Sequence, residues 1–374
     1  MIRKLNRLFQ SYAREKRLKI GKFIWDRKEK KEIIQGNNFL KDNNIKSILF
    51  LRYDGKIGDM IINTIMFREI KKYYPDIKIG VVSRGGATDI IVNNKNVDKI
   101  YKYEKNRKKI KELAKEIETE KYDLLIDFSE MLRVNEMMFI NLCHARFNMG
   151  INKDNWNMFD INCILPKESY HISYIYDSVL KLLGIEDRDL NYDLYFSKDE
   201  INNVENFLKD IRDKEIIVFN PFAASKHRDI NEENIEEIIK ISLKKENRVV
   251  IIIGEEKRRE KIEKFLEKYR SKVFFPKLNG IMESAYLIKK ADFVITPDTS
   301  IVHIAATFKK PMIAIYRQDK TFDKGIPNSI LWSPNYKEGI QIFSKDIVNK
   351  KGEEPNINKF DLNEIDRILK QRKK

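Results

Sequence analysis

From Ile45 onward, short apolar runs alternate with longer stretches whose apolar residues recur at helical spacing. The first such unit, residues 48–70, reads ILFLRYDGKIGDMIINTIMFREI. It holds a run too short for a buried helix, then a polar turn, then an amphipathic pattern. A chain that keeps repeating this unit is constrained to βαβ crossovers and parallel sheets. Strands are expected at 48–52, 78–83, 98–102, 123–128 and 145–150, with helices near 59–74, 107–120 and 130–143. A helix near 172–183, stopped by Gly184, runs into the polar stretch IEDRDLNYD, which reads as a linker. A second series follows, with strands near 215–220, 248–253, 272–275, 292–296 and 311–316 and helices between them.

At 374 residues the chain is long enough for two such units. The expected division is a basic amphipathic extension over 1–44, a Rossmann-like unit over 45–185, a second over 186–345, and a tail with a last helix over 346–374. Two α/β units in tandem imply a cleft between them.

Charge is concentrated at one end. Residues 1–31 carry twelve Lys or Arg against three Asp or Glu, 12 − 3 = +9, so +7 of the net +16 is left for the other 343 residues. That imbalance argues against a nucleic-acid-binding surface spread over the body of the protein. Leu5, Leu8, Phe9 and Tyr12, then Ile20, Phe23 and Ile24, form an apolar face with basic residues around it. This is the pattern of a helix lying on an anionic membrane surface, or of a solvated helix packed on the protein body. No apolar run approaches 18 residues, and no secretory signal opens the chain. Cys143 and Cys163, twenty residues apart, form neither a CxxC nor a zinc pattern, which fits a reducing, cytoplasmic location.

Ligands of open α/β sheets bind beyond the carboxyl ends of the strands. Four stretches fall there. Gly58-Asp59 follows the first strand; the aspartate either caps the next helix or serves as a general base. In NPFAASKHRDI, 220–230, Lys226, His227 and Arg228 gather cations suited to a diphosphate, or form a solvated loop. Gly254-Glu255-Glu256 ends the run RVVIII, as a turn or as acceptors for a ribose. In TPDTSIVHIA, Asp298, Thr299 and Ser300 open a helix whose free N–H groups favour an anion, and His303 follows Thr299 by four residues. Asp298 is then either a sugar-hydroxyl acceptor or an N-cap, and His303 a site residue or a core histidine. Asp187-Arg188-Asp189 spells DxD but follows no buried strand, SRGGATD is no phosphate loop, and GxSxG is absent.

Taken in order, RYDGKIGDMIINTIMFREI, NPFAASKHRDI and PDTSIVHIAATFKKPMIAIY resemble the heptosyltransferase family, glycosyltransferase family nine, from about Ile45 to Tyr316. The resemblance implies a GT-B fold with the donor in the C-terminal unit. It implies inverting transfer from a nucleotide-sugar, often ADP-heptose, to a lipid-linked or oligosaccharide acceptor in bacterial lipopolysaccharide or surface-saccharide synthesis. By position it makes Asp59 the base, Arg228 or Lys226 the diphosphate contact, and Asp298, Thr299 and His303 donor-side residues. Gly58, Gly254 and Ser300 join the expected substrate-binding set. Ser300 stands where the family usually has Gly, and Ile65 where it usually has Pro. Neither metal nor cofactor is expected, and the enzyme is expected to work peripherally at the inner face of the cytoplasmic membrane. A nucleotide-sugar epimerase of the same tandem fold and a basic nucleic-acid-binding protein are the rival functions.

Overall fold

The computed structural model describes residues 2–27, 29, 37–129, 131–225, 228–318, 322–323, 326–346 and 356–371. The first unit opens with α1 (Ile2–Trp25) and α2 (Phe39–Asp42). It continues through β1 (Ser47–Arg52), α3 (Ile57–Tyr73), β2 (Lys78–Ser83), α4 (Gly86–Asp89), β3 (Lys99–Lys102) and α5 (Arg107–Glu120). Then come β4 (Leu124–Asp127), α6 (Val134–Leu142), β5 (Phe147–Ile151), β6 (Ile161–Cys163) and α7 (Ser173–Leu183). The second unit runs α8 (Lys198–Leu208), β7 (Glu215–Phe219), α9 (Glu232–Ser242), β8 (Arg248–Ile252), α10 (Glu263–Lys268), β9 (Val273–Phe274) and α11 (Ile281–Lys290). It ends with β10 (Phe293–Pro297), α12 (Ser300–Thr307), β11 (Met312–Tyr316), the hairpin β12 (Phe322–Asp323) and β13 (Ile326–Pro327), α13 (Asn328–Leu331), β14 (Gly339–Phe343) and α14 (Leu362–Gln371).

The expected strands and the helices framing them are present, apart from boundary shifts, and the structure adds β6, β14, the β12–β13 hairpin, α8 and the short helices α2, α4 and α13. Each six-stranded sheet is parallel throughout. The orders are β3-β2-β1-β4-β5-β6 and, read from the other edge, β9-β8-β7-β10-β11-β14. Both follow the doubly wound 3-2-1-4-5-6 sequence, whose chain reversal lies between β1 and β4 and again between β7 and β10.

Strands in such sheets are covered on both faces, hence their unbroken apolar runs. Along β1, Ile48 and Phe50 point into one core while Leu49 and Leu51 point into another. Along β7, Ile216 and Val218 join the same core as Ile48, and Ile217 and Phe219 the outer one of their own unit. A single apolar cluster therefore extends from one sheet to the other. The last helix, α14, belongs to the outer core of the second unit through Ile365, Ile368 and Leu369.

The connecting stretch is fastened along its length. Arg68 of α3 donates to the carbonyls of Asp189 and Asn191 and pairs with Asp193, and the Asp193 N–H donates to Thr64 Oγ1 at 2.9 Å. Asn96 Nδ2 donates to the Tyr195 hydroxyl at 3.3 Å. The next residue, Phe196, already packs on Tyr286 and Phe308 of the second unit.

Candidate active site

The two reversal points supply the residues. At the end of β1 a turn is made by Asp54 and Gly55, whose φ of +75° demands glycine. Lys56 is the N-cap of α3, with no side-chain cap bond, so Asp59 is the third residue of the helix and not its cap. Its carboxylate lies 3.0 Å from Nη2 of Arg52, the last residue of β1, and the same nitrogen donates to Asp54 Oδ2 at 3.0 Å. Arg52 is buried. Burial alone would lower its pKa, but Asp54, the Tyr176 hydroxyl and Asp59 together hold it above the ordinary value. The Tyr176 hydroxyl also donates to the Asp59 carbonyl at 3.4 Å.

Beyond the ends of β7 and β10, Asn220 and Thr299 form a compact network. Asn220 Nδ2 donates to the hydroxyls of Thr296 at 3.0 Å and Thr299 at 3.3 Å, which lie 3.1 Å from each other. Thr299 is the N-cap of α12, its Oγ1 accepting from the Ile301 N–H at 3.3 Å. Asp298 is thereby relieved of capping; its carboxylate pairs with Arg228 Nη1 at 3.2 Å. Lys226, and His227 beside it, lie outside the described residues. Gly254 lies against a ring. A Cβ there would come within 2.6 Å of Phe222 Cδ2, so the glycine admits an aromatic ring of its own unit.

Gly58 and His303 bring the two ends together. A Cβ on Gly58 would sit 2.9 Å from His303 Cδ2 and 3.8 Å from Ser300 Cα. The first turn of α3 thus rests against the first turn of α12, across the boundary between units. It is Gly55 that makes the tight turn, while Gly58 permits this contact. His303 is buried among Tyr192 and Trp332, with ring centroids 6.2 and 5.9 Å away, and its Nδ1 has no hydrogen-bond partner among the described residues. Burial pushes its pKa down to about 3, His171 adding to the effect and Asp59 opposing it. The imidazole is therefore neutral at pH 7, buried as a core histidine is, yet not satisfied as one.

Arg52 and Asn220 are the site residues that the sequence did not single out. Each directly follows or ends a buried strand and carries a polar head, which is the signal that was there to find. At the end of β4, Asp127 accepts from the Tyr53 hydroxyl at 3.1 Å and Ser129 Oγ at 2.6 Å. Burial raises its pKa, with Lys153, Ser129 and Tyr53 opposing. Among the described residues no group of three His, Cys, Asp or Glu is placed to hold a metal ion.

Comparison with known proteins bears on this geometry. The sequence model described as "Glycosyltransferase family 9 (heptosyltransferase)" matches residues 110–345. The chain is 27% identical over 316 residues to "Putative lipopolysaccharide heptosyltransferase 4" of Escherichia coli K12, covering 82% of this chain and 84% of that one. Its fold is similar to that of a glycosyl transferase family 9 protein from Veillonella parvula, with a TM-score of 0.71, 16% identity and coverage of 87% and 98%. It is also similar to E. coli ADP-heptose lps heptosyltransferase II, with a TM-score of 0.66, 16% identity and coverage of 87% and 99%. These are the GT-B architecture that the tandem sheets imply. The family match starts after the Gly58-Asp59 turn, so the case for Asp59 rests on the geometry above.

Proposed function

For a chain that belongs to glycosyltransferase family 9, the heptosyltransferases, we propose inverting transfer of a heptose from a nucleotide-sugar, ADP-heptose foremost, to a membrane-anchored saccharide of the lipopolysaccharide type. Asp59 accepts the proton of the acceptor hydroxyl. The hydroxyl oxygen forms a bond to the anomeric carbon from the face opposite the leaving group, the bond from that carbon to the phosphate oxygen breaks, and the nucleoside diphosphate departs with its electron pair. Arg228 and the N-terminal end of α12 receive the diphosphate, charge-assisted donors being strongest where negative charge develops. Arg228 exchanges the Asp298 carboxylate for phosphate oxygens, and Asp298 accepts from the sugar hydroxyls. Arg52, sharing one nitrogen between Asp54 and Asp59, holds the Asp59 carboxylate in place at 3.0 Å.

The observation that carries this reading is the contact of Gly58 with His303, which sets the starts of α3 and α12 against each other. A transferase of this kind works on the cytoplasmic side of the membrane, where nucleotide-sugars are made. Among the described residues no helix is long and apolar enough to cross a membrane. Membership in a transferase family decides against the epimerase. The test is turnover: with ADP-heptose and a lipopolysaccharide-precursor acceptor, nucleotide release should track glycoside formation and stop without acceptor. Nucleotide-sugar isomerised with no release of nucleotide would reverse the conclusion.

A further inference from the structure

The helix α1 lies outside the family match and has two apolar faces. Its inner face is used. Leu18 and Trp25 join the core beneath α6, and a Cβ on Gly21 would lie 2.8 Å from Val134 Cγ2 and 3.2 Å from Met137 Sδ. Asn141 Nδ2, at the other end of α6, donates to the Trp25 carbonyl at 2.9 Å. Lys22 donates to the Asn155 carbonyl and sits over the Trp156 ring at 4.6 Å.

The outer face is exposed. At about 100° per residue, Phe9, Tyr12, Lys16, Ile20 and Phe23 fall within an arc of about 80° that points away from Leu18 and Trp25. Phe9 is 70% exposed, Tyr12 56%, Ile20 58% and Phe23 75%. A stripe of four large apolar side chains in water needs an explanation, where one alone would not. The charge around it selects the occupant. Within Ile2–Trp25 the sequence holds eight Lys or Arg and one Glu, 8 − 1 = +7. Apolar anchors ringed by cations match an anionic bilayer surface, with the rings in the acyl boundary and the ammonium groups among the headgroup phosphates.

The direction of α1 ties this face to the site. It runs parallel to α6, with Gly21 beside Val134 and Trp25 beside Asn141, while Arg14 reaches Met131 Sδ at 3.8 Å, ahead of the first turn of α6. The start of α6 follows the carboxyl end of β4, and that edge of the sheet also carries Gly58 and Asp59. Residues 2–13 therefore project about 18 Å past the catalytic edge of the first sheet, at 1.5 Å per residue.

We infer that α1 is a lipid-surface anchor that inserts Phe9, Tyr12, Ile20 and Phe23 into an anionic bilayer and presents the carboxyl edge of the first sheet to it. The inference rests on the acceptor being membrane-anchored, but it concerns a surface apart from the catalytic one. A membrane-bound acceptor then reaches Asp59 by lateral diffusion along the surface on which the enzyme is seated.

Co-sedimentation of the full chain with vesicles tests the anchor. Binding to phosphatidylcholine vesicles containing phosphatidylglycerol should exceed binding to phosphatidylcholine alone by about tenfold or more at low salt, and fall as salt screens the cations. The variant Phe9→Glu/Phe23→Glu should lose about tenfold or more of that binding with an unchanged unfolding temperature, since both side chains are in solvent. Equal binding to both vesicle types, or a variant that binds as the parent does, overturns the anchor. So does a concentration-dependent dimer abolished by the same variant without vesicle binding, which would make a second copy the occupant. A thermal shift with ADP-heptose in the same preparations reads the donor site separately. Retained donor binding with lost vesicle binding sinks the anchor alone, and vesicle binding without donor binding sinks the proposed reaction alone.

Discussion

Both sheets end in an aspartate paired with an arginine at the chain reversal, and the two pairs are built differently. Arg52 is 4% exposed and is the last residue of a central strand, so the arginine of the Arg52–Asp59 pair cannot leave without opening the core. Arg228 is 31% exposed and is carried by a loop, so its hold on Asp298 is exchangeable. The first pair fixes a charge in position; the second keeps a cation ready for another anion. Identical topology thus gives the first sheet a rigid pair and the second an adaptable one.

Four experiments would break or sharpen that contrast. The largest effect belongs to Asp59→Asn. Turnover should fall by about 10²–10⁴ while donor affinity measured by calorimetry stays within about twofold; a loss under tenfold would remove Asp59 as the base. Next, Arg52→Met strands two carboxylates beside a buried cavity and should cost about 3–5 kcal/mol in chemical denaturation. Arg228→Met, by contrast, should leave stability within about 1 kcal/mol and weaken donor binding about ten- to a hundredfold, the worth of a charge-assisted hydrogen bond. If the two arginines gave equal stability losses, the contrast would be void.

Gly58→Ala probes the contact that joins the two sides. The added methyl meets His303 at 2.9 Å, which should cost about 1–3 kcal/mol, and a second change, His303→Ala, should recover much of it. Additive losses in the double variant would mean that the helices do not meet in solution. The most gradual effect is on pH dependence. Burial pushes His303 down to about 3 and His171 to about 4. A histidine depressed in the folded state contributes stability that is complete above about pH 6.5 and is lost as pH falls toward the folded value. Each group should therefore remove up to about 1.4 kcal/mol per pH unit below about 6.5, and His303→Gln should flatten the profile of the unfolding midpoint by one group's share.

The sequence was most legible where local pattern and burial agree. Strands such as β1 and β10 are buried along nearly their whole length and read directly as apolar runs. The elements that escaped notice are those at the margins. β6 is three residues long at a sheet edge, β14 is an edge strand with only Ile342 buried, and α8 buries only Val204 and Leu208. Half-exposed segments carry half the apolar signal. At the site, sequence order placed Asp59, Asp298, Thr299 and His303 at strand ends or helix starts, because the turn chemistry there is local. It left open whether Asp59 and Asp298 cap their helices, and the adjacent Lys56 and Thr299 take those positions. The roles of Gly58 and Gly254 were invisible, since the neighbours that require a missing Cβ are His303 and Phe222, distant in the chain.

The fastening of the connecting stretch has a mechanical consequence. Arg68 and Thr64 bind it to α3 as far as Asp193, Tyr195 is tethered through Asn96, and Phe196 is lodged on the far side. A single peptide link is the whole slack between the halves. So tight a join allows almost no stretching of the chain there, and the apolar core shared by Ile48 and Ile216 ties the two sheets together beside it.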